Sequence, residues 1–239
     1  MKIKVIIILA LVLCCSCSEQ IIIENDKLQE VISQVWLDVD LAQKTFGEVE
    51  TNNLNEYEEQ RYHLAKAHLM LKRELRLPNG SDMDALAKYF ESCGDEASAA
   101  EAYYIQGAYL NWLSKNTQAM QYLKKAESYP ATAVIRGMTY YKMGRISESE
   151  QLYDIALENY QKALPYLEEA GLPLYLASVY RELGRNTHDE SRNQYFDKAL
   201  EAARFMGDTI LQMDIRYAQL SANQDNSPEL ASICQYMCH

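Results

Sequence analysis

The chain has 239 residues and carries 34 Asp and Glu against 23 Lys and Arg, a formal net charge of −11. That acidity argues against a nucleic-acid footprint and against adhesion to anionic lipid through surface charge. Gly and Pro number only 9 and 5, and no Ser/Gly-rich linker interrupts the chain, so it reads as one continuous body.

Residues 1–18 run Met-Lys-Ile-Lys, an apolar stretch from Val5 to Leu13, then Cys14-Cys15-Ser16-Cys17-Ser18. A basic start, a short apolar core and a small-residue exit make a secretory signal, because so short a run cannot span a bilayer. The exit resembles a bacterial lipobox, in which a small residue precedes the cysteine that is lipidated and becomes the new N-terminus. Leu13 before Cys14 is too large, and Cys14 before Cys15 is marginal. Ser16 before Cys17 fits, although Cys14 stands where that pattern has Leu. The resemblance implies a signal over 1–16, a lipid on Cys17 and a mature chain anchored to the cell envelope at the outer membrane. The alternative is a plain cleaved signal with incidental cysteines, but such signals end in an Ala-x-Ala-like site. No later stretch is long and apolar enough for a transmembrane helix.

Residues 21–50 predict two modest helices, with Leu28, Val31, Ile32, Val35 and Trp36 and then Val39, Leu41, Ala42 and Phe46 at helical spacing. Together 17–55 form an anchor and leading helices, and the repeat body takes 56–239. Thr51-Asn52-Asn53 and Asn55 break the pattern before a long helix from about Tyr57 to Leu75. Leu77-Pro78-Asn79-Gly80 ends that helix. Ser81 or Asp82 then caps a short one that turns Ala85, Tyr89 and Phe90 inward and closes at Gly94.

Two helix pairs follow with matching spacing. Gly107, Ala119, Leu123 and Ala126 recur, residue for residue, as Gly144, Ala156, Tyr160 and Ala163. Small residues where two helices cross allow close backbone approach, and the bulky residue fills the remaining gap. These residues closely resemble a tetratricopeptide repeat (TPR), whose unit of about 34 residues has small residues at its eighth, twentieth and twenty-seventh places. The resemblance implies an all-α superhelix of four or five antiparallel helix pairs, a binding scaffold rather than an enzyme. A third unit keeps Ala177, Tyr180, Gly184, Phe196 and Ala199, with added residues around Thr187-His188. Asp208–Leu220 and Pro228–Met237 predict a last pair, without the small-residue signature.

The run Tyr89-Phe90-Glu91-Ser92-Cys93-Gly94-Asp95, with Ala102-Tyr103-Tyr104 and Gly107 after it, is similar to bacterial TPR lipoproteins. It is also similar to the TPR sensor halves of membrane-bound transcription regulators. Those regulators carry a transmembrane helix and a DNA-binding domain, neither of which follows here. A sensor that signals through another chain is therefore the alternative expectation, and an enzyme of unrecognised type a remote one.

Catalytic motifs are absent: there is no His-Glu-x-x-His, Gly-x-Ser-x-Gly, P-loop or dinucleotide glycine motif. No catalytic residue, metal site or cofactor is therefore expected. His188-Asp189-Glu190 reads as a solvated turn. His63 and His68, five apart, do not share a helix face. Cys234, Cys238 and His239 place two thiols on one face of a terminal helix, where small buried apolar residues are the better reading than ligands.

The acidic runs Glu148/Glu150, Glu168-Glu169 and Asp189-Glu190 read as solvated outer faces. The 18 tyrosines, against 4 Phe and 2 Trp, suit half-exposed helix surfaces, since a phenol buries its ring and keeps its hydroxyl wet. In TPR arrays the first helix of each pair lines a concave groove. The resemblance carries that role to Glu101, Tyr104, Ala108, Asn111 and Trp112, to Met138, Tyr141, Arg145, Glu148 and Ser149, and to Leu174, Ser178, Arg181 and Glu182. Of these, Tyr104, Asn111, Trp112, Tyr141, Arg145 and Arg181 are the expected contacts to a protein or peptide partner, as aromatic anchors with scattered arginines. The Lys/Asn pairs with which some TPR proteins hold a C-terminal carboxylate are missing.

Overall fold

The computed structural model describes residues 25–74, 77, 82–224 and 227–237, and all of their regular structure is α-helix. The order is α1 (Asp26–Gln34), α2 (Val39–Phe46), α3 (Glu56–Lys72), α4 (Met83–Ser92), α5 (Glu96–Trp112) and α6 (Asn116–Ser128). It continues with α7 (Ala133–Ser149), α8 (Tyr153–Ala170), α9 (Pro173–Asn186), α10 (Arg192–Phe205), α11 (Thr209–Ala222) and α12 (Pro228–Met237).

Local chemistry starts and stops these helices. Asn55 opens α3 with a reciprocal capping box, accepting from the Glu58 amide at 2.9 Å while Glu58 accepts from the Asn55 amide at 3.1 Å. Asp82, Asp95, Thr132 and Asp208 accept from the third amide beyond them, at the starts of α4, α5, α7 and α11. Gly171 ends α8 in the left-handed region at φ 63°, where a side chain would be strained. Ser114 and Gln151 turn the chain between α5 and α6 and between α7 and α8 with φ of 59° and 62°, without glycine. They occupy equivalent places in the two pairs, so the turn geometry recurs along with the packing residues.

Consecutive helices pack as pairs, most extensively α5 with α6, α7 with α8 and α9 with α10. The first helices of successive pairs also touch: α3 with α5, α5 with α7, and α9 with α11. At the crossings a glycine lies under a large side chain. A Cβ on Gly107 would stand 2.8 Å from Leu123, and one on Gly144 only 2.5 Å from the Tyr160 ring. Gly184 lies likewise under Phe196, at 2.9 Å. Thus Tyr160 fills the space over Gly144 itself, within the pair. Ala119, Ala126, Ala156, Ala163 and Ala199 are all buried at these contacts.

One continuous core runs from Leu64 to Ile215. A second, smaller core joins Leu28, Val31, Val35 and Ala42 of the leading segment to Ala65 and Leu69 of α3. The leading helices therefore dock on one flank of α3 while its other flank serves the main body. Trp36 falls in the turn between α1 and α2 rather than on the α1 stripe, which frees its ring to reach past α3.

Tyrosine hydroxyls stitch the array. Tyr103 donates to Glu91 at 2.9 Å, Tyr160 to Glu148 at 2.8 Å and Tyr180 to Glu168 at 2.6 Å, each spanning twelve residues. Tyr57 with Asp95, Tyr122 with Asp84 and Tyr129 with Glu91 make further bonds, all at 2.6 Å. The chain prefers Tyr to Phe in part because these rings end on a carboxylate. The acid runs read as solvated thus include structural acceptors, Glu148 and Glu168 among them.

Candidate functional site

Trp36 brings together residues from three separated first helices. Its ring meets His68 of α3 edge-on at 4.5 Å, and Tyr104 of α5 and Tyr175 of α9 at 5.8 Å each. Lys72, in the last turn of α3, places its ammonium 4.0 Å from the Trp36 ring centroid and 4.6 Å from that of Tyr175, and donates to the Tyr175 hydroxyl. Such contacts are cation–π interactions, stronger as water is excluded. Beside them on α7 stand Tyr141, Lys142 and Arg145, with the Arg145 guanidinium donating to the Tyr141 hydroxyl at 3.2 Å.

The electrostatics of this face follow from burial and from like charges. Burial pushes the Lys72 amine down to about 7, and the charge of Lys142 pushes in the same direction. Burial also lowers Lys142, with Arg145 adding to the effect and Glu74 opposing it. The Tyr175 phenol is raised to about 12, chiefly by burial. Behind this cluster lies a buried acid–base network. Burial would raise Glu101, but the Arg61 charge and the bond to His68 outweigh it and hold the carboxyl at about 2. Arg61 reaches Glu101 at 3.2 Å and Ser98 at 2.8 Å, and His68 Nδ1 lies 2.9 Å from Glu101. Burial lowers His68, and its Nε2 has no hydrogen-bond partner.

The expected contact residues divide sharply. Tyr104 and Tyr141 are buried, at 2% and 8% exposure, with Trp36 against the Tyr104 ring and Tyr160 of α8 against that of Tyr141, so they are not open contact points. Arg181 is half-buried and already engaged, by Glu182 at 2.6 Å and by Asp214. Glu101 and Glu182, expected on the same face, are ion-pair partners within the array rather than free acids. Arg145 is exposed, Trp112 is 47% exposed and stacks on Tyr109, and half-buried Asn111 donates to Asn116 at 3.1 Å. What spacing missed are Trp36, Lys72, Lys142 and Tyr175.

Two clefts stand out among the described residues, one of them beside Trp36. One, of about 320 Å³, lies between the α1–α2 turn and the starts of α7 and α9, lined by Ile32, Trp36, Leu37, Val134 and Leu172. The other, of about 700 Å³, opens among α10, α11 and α12, where Arg216 grips Glu229 through two bonds of 2.8 and 3.0 Å. Among the described residues no group of three or more His, Cys, Asp or Glu is placed to hold a metal, and no helix is long and apolar enough to cross a membrane. Cys17, Cys238 and His239 lie outside the described residues, as does the side chain of Cys234. No family model, no curated protein and no solved structure matches this chain.

Proposed function

We propose that the chain is a non-enzymatic helical-repeat scaffold of the TPR kind, an α-α superhelix exported and tethered through a lipid on Cys17. It binds a protein or peptide partner along the face formed by the first helices of its pairs. The observation that carries this reading is the recurrence of one crossing in consecutive pairs, Gly107 under Leu123 and Gly144 under Tyr160. A crossing repeated in this way aligns successive first helices, and the aligned face leaves Trp112 and Arg145 accessible. An exposed aromatic and an exposed guanidinium on the first helices of successive pairs suit a partner's backbone and side chains, since such residues give large contact area at modest entropic cost. The tether rests on the sequence around Cys17 alone.

A photo-crosslinking residue placed at Trp112 or Arg145 in native cells, followed by mass spectrometry, tests the reading. The same partner should be captured from both positions and not from Glu169, which is exposed on α8. Equal capture from Glu169 would put binding on another face and defeat the proposal.

A further inference from the structure

Among the described residues three cations on this face form no ion pair with a carboxylate. Lys72 contacts the Tyr175 hydroxyl and two ring faces. Among the described residues Arg145 hydrogen-bonds the Tyr141 hydroxyl and feels the Glu182 charge without an ion pair, and Lys142 makes no hydrogen bond or ion pair. Of the nearby acids, Glu101 is engaged by Arg61 and His68, Glu182 by Arg181 and Arg185, and Asp214 by Arg181, while Glu74 acts on Lys142 through space without forming an ion pair. A local surplus of positive charge thus stands on a protein whose net charge is −11. Buried charges in proteins are ordinarily paired, because removing an ion from water without a counter-ion is costly. Here burial of the two lysines, with the repulsion of Lys72 by Lys142 and of Lys142 by Arg145, already weakens proton binding at Lys72 and Lys142.

We propose that Lys72, Lys142 and Arg145 together receive an acidic side chain, Asp or Glu, from within a peptide segment of the partner. The inference rests on the groove-binding reading and adds the chemistry of the ligand. Arg145, the exposed member, meets the carboxylate first, and its fork can hold both oxygens. Lys142 supplies the second donor from one turn earlier on α7. Lys72 lies deeper, and an arriving negative charge restores its full ammonium character between Trp36 and Tyr175. The aromatic walls favour a peptide over a bare inorganic ion, because the partly exposed rings of Trp36 and Tyr175 offer apolar surface to the side-chain methylenes and the backbone. The acidic surface elsewhere disfavours an anionic bilayer as the source of the charge.

Calorimetric titration of the mature chain with hexaglutamate, acetylated at its N-terminus and amidated at its C-terminus, tests this without a free terminal carboxylate. Saturable binding is expected, weakened about tenfold in Lys142→Gln and again in Arg145→Gln, the loss of one directed ion pair each. Competitive acetylation should show Lys72 and Lys142 protected by the peptide while Lys162, exposed and paired with Glu158, is not. Hexaglutamine should not bind, and inorganic phosphate at equal concentration should not protect the two lysines. No binding of hexaglutamate would overturn the inference, as would unchanged affinity in the Lys142→Gln/Arg145→Gln double variant with an intact helical signal. Protection by phosphate alone would make this a small-anion site instead. If crosslinking from Arg145 captures a partner while hexaglutamate fails, the scaffold reading stands and the acidic-ligand reading falls. If both fail, both fall.

Discussion

The hydroxyl of Tyr160 donates to Glu148 at 2.8 Å while the ring of the same residue covers Gly144, so one side chain both packs and pins the α7–α8 crossing. Tyr160→Phe keeps the ring and deletes the bond. Hydrogen bonds to charged groups contribute about 1.5–3 kcal/mol, and a loss in that range is expected in denaturant unfolding. Because Glu148 also lies 3.4 Å from Arg185, a double-mutant cycle with Glu148→Gln should show coupling between the two sites. Additive effects would mean that the phenol is held by packing alone.

Gly144→Ala should destabilise far more than a helix propensity scale suggests. Alanine favours a helix over glycine by about 1 kcal/mol, yet here its methyl would meet a Tyr160 carbon at 2.5 Å. Overpacking costs about 1–3 kcal/mol, so the net change is expected to be a loss. Gly144→Ala combined with Tyr160→Leu should recover part of it, measured by thermal melting. Ala156→Leu, at a fully buried position of the same pair, should likewise lower the melting temperature.

Acid should loosen the α3–α5 junction in two stages. His68 is held neutral by burial, its folded pKa lying below 6.5, so stability falls as pH drops below 6.5, where the unfolded chain takes up the proton first. Glu101 is depressed to about 2, so its contribution is complete above 4.5 and is lost as pH falls toward 2. Glu101→Gln should flatten the lower stage. At neutral pH it should cost about 3–5 kcal/mol, because the buried Arg61 charge loses its partner. An unfolding curve measured from pH 7 to pH 3 that is parallel in both proteins would contradict this.

Trp36→Ala should detach the leading segment and spare the body. The leading helices have their own core with Ala65 and Leu69, and Trp36 is their reach across to Tyr104 and Tyr175. Hydrogen exchange should therefore speed up in α1 and α2 while amides of α7 and α8 stay protected. Uniform acceleration would mean that the two cores unfold as one unit.

Cys17→Ser should release the protein from membranes. Each buried lipid CH₂ contributes about 0.8 kcal/mol, so chains on Cys17 would hold the folded body firmly and their loss would set it free. Fractionation of cells through carbonate washes decides it; a variant that still sediments with membranes is not anchored at this residue.

Sequence by itself determined the helices, their pairing and the small residues at their crossings. A cap such as Asp82 acts within one turn, and the spacing of Gly107 to Ala119 or Gly144 to Ala156 is set by the length of one helix and a turn. Those are local constraints, and a single chain displays them. The face of each first helix was also legible, since periodicity fixes which residues share a side. What stands against that face was not, because it comes from far along the chain. Trp36 closes over Tyr104, Lys72 finds Tyr175, and Arg61 reaches Glu101, across separations that no periodicity encodes. Tertiary packing therefore decided which of the expected contacts became buried seams, Tyr104, Tyr141 and Arg181, and which stayed open, Trp112 and Arg145. It also decided where positive charge is left unpaired, since a cation's partner is whatever the packed neighbours bring within reach.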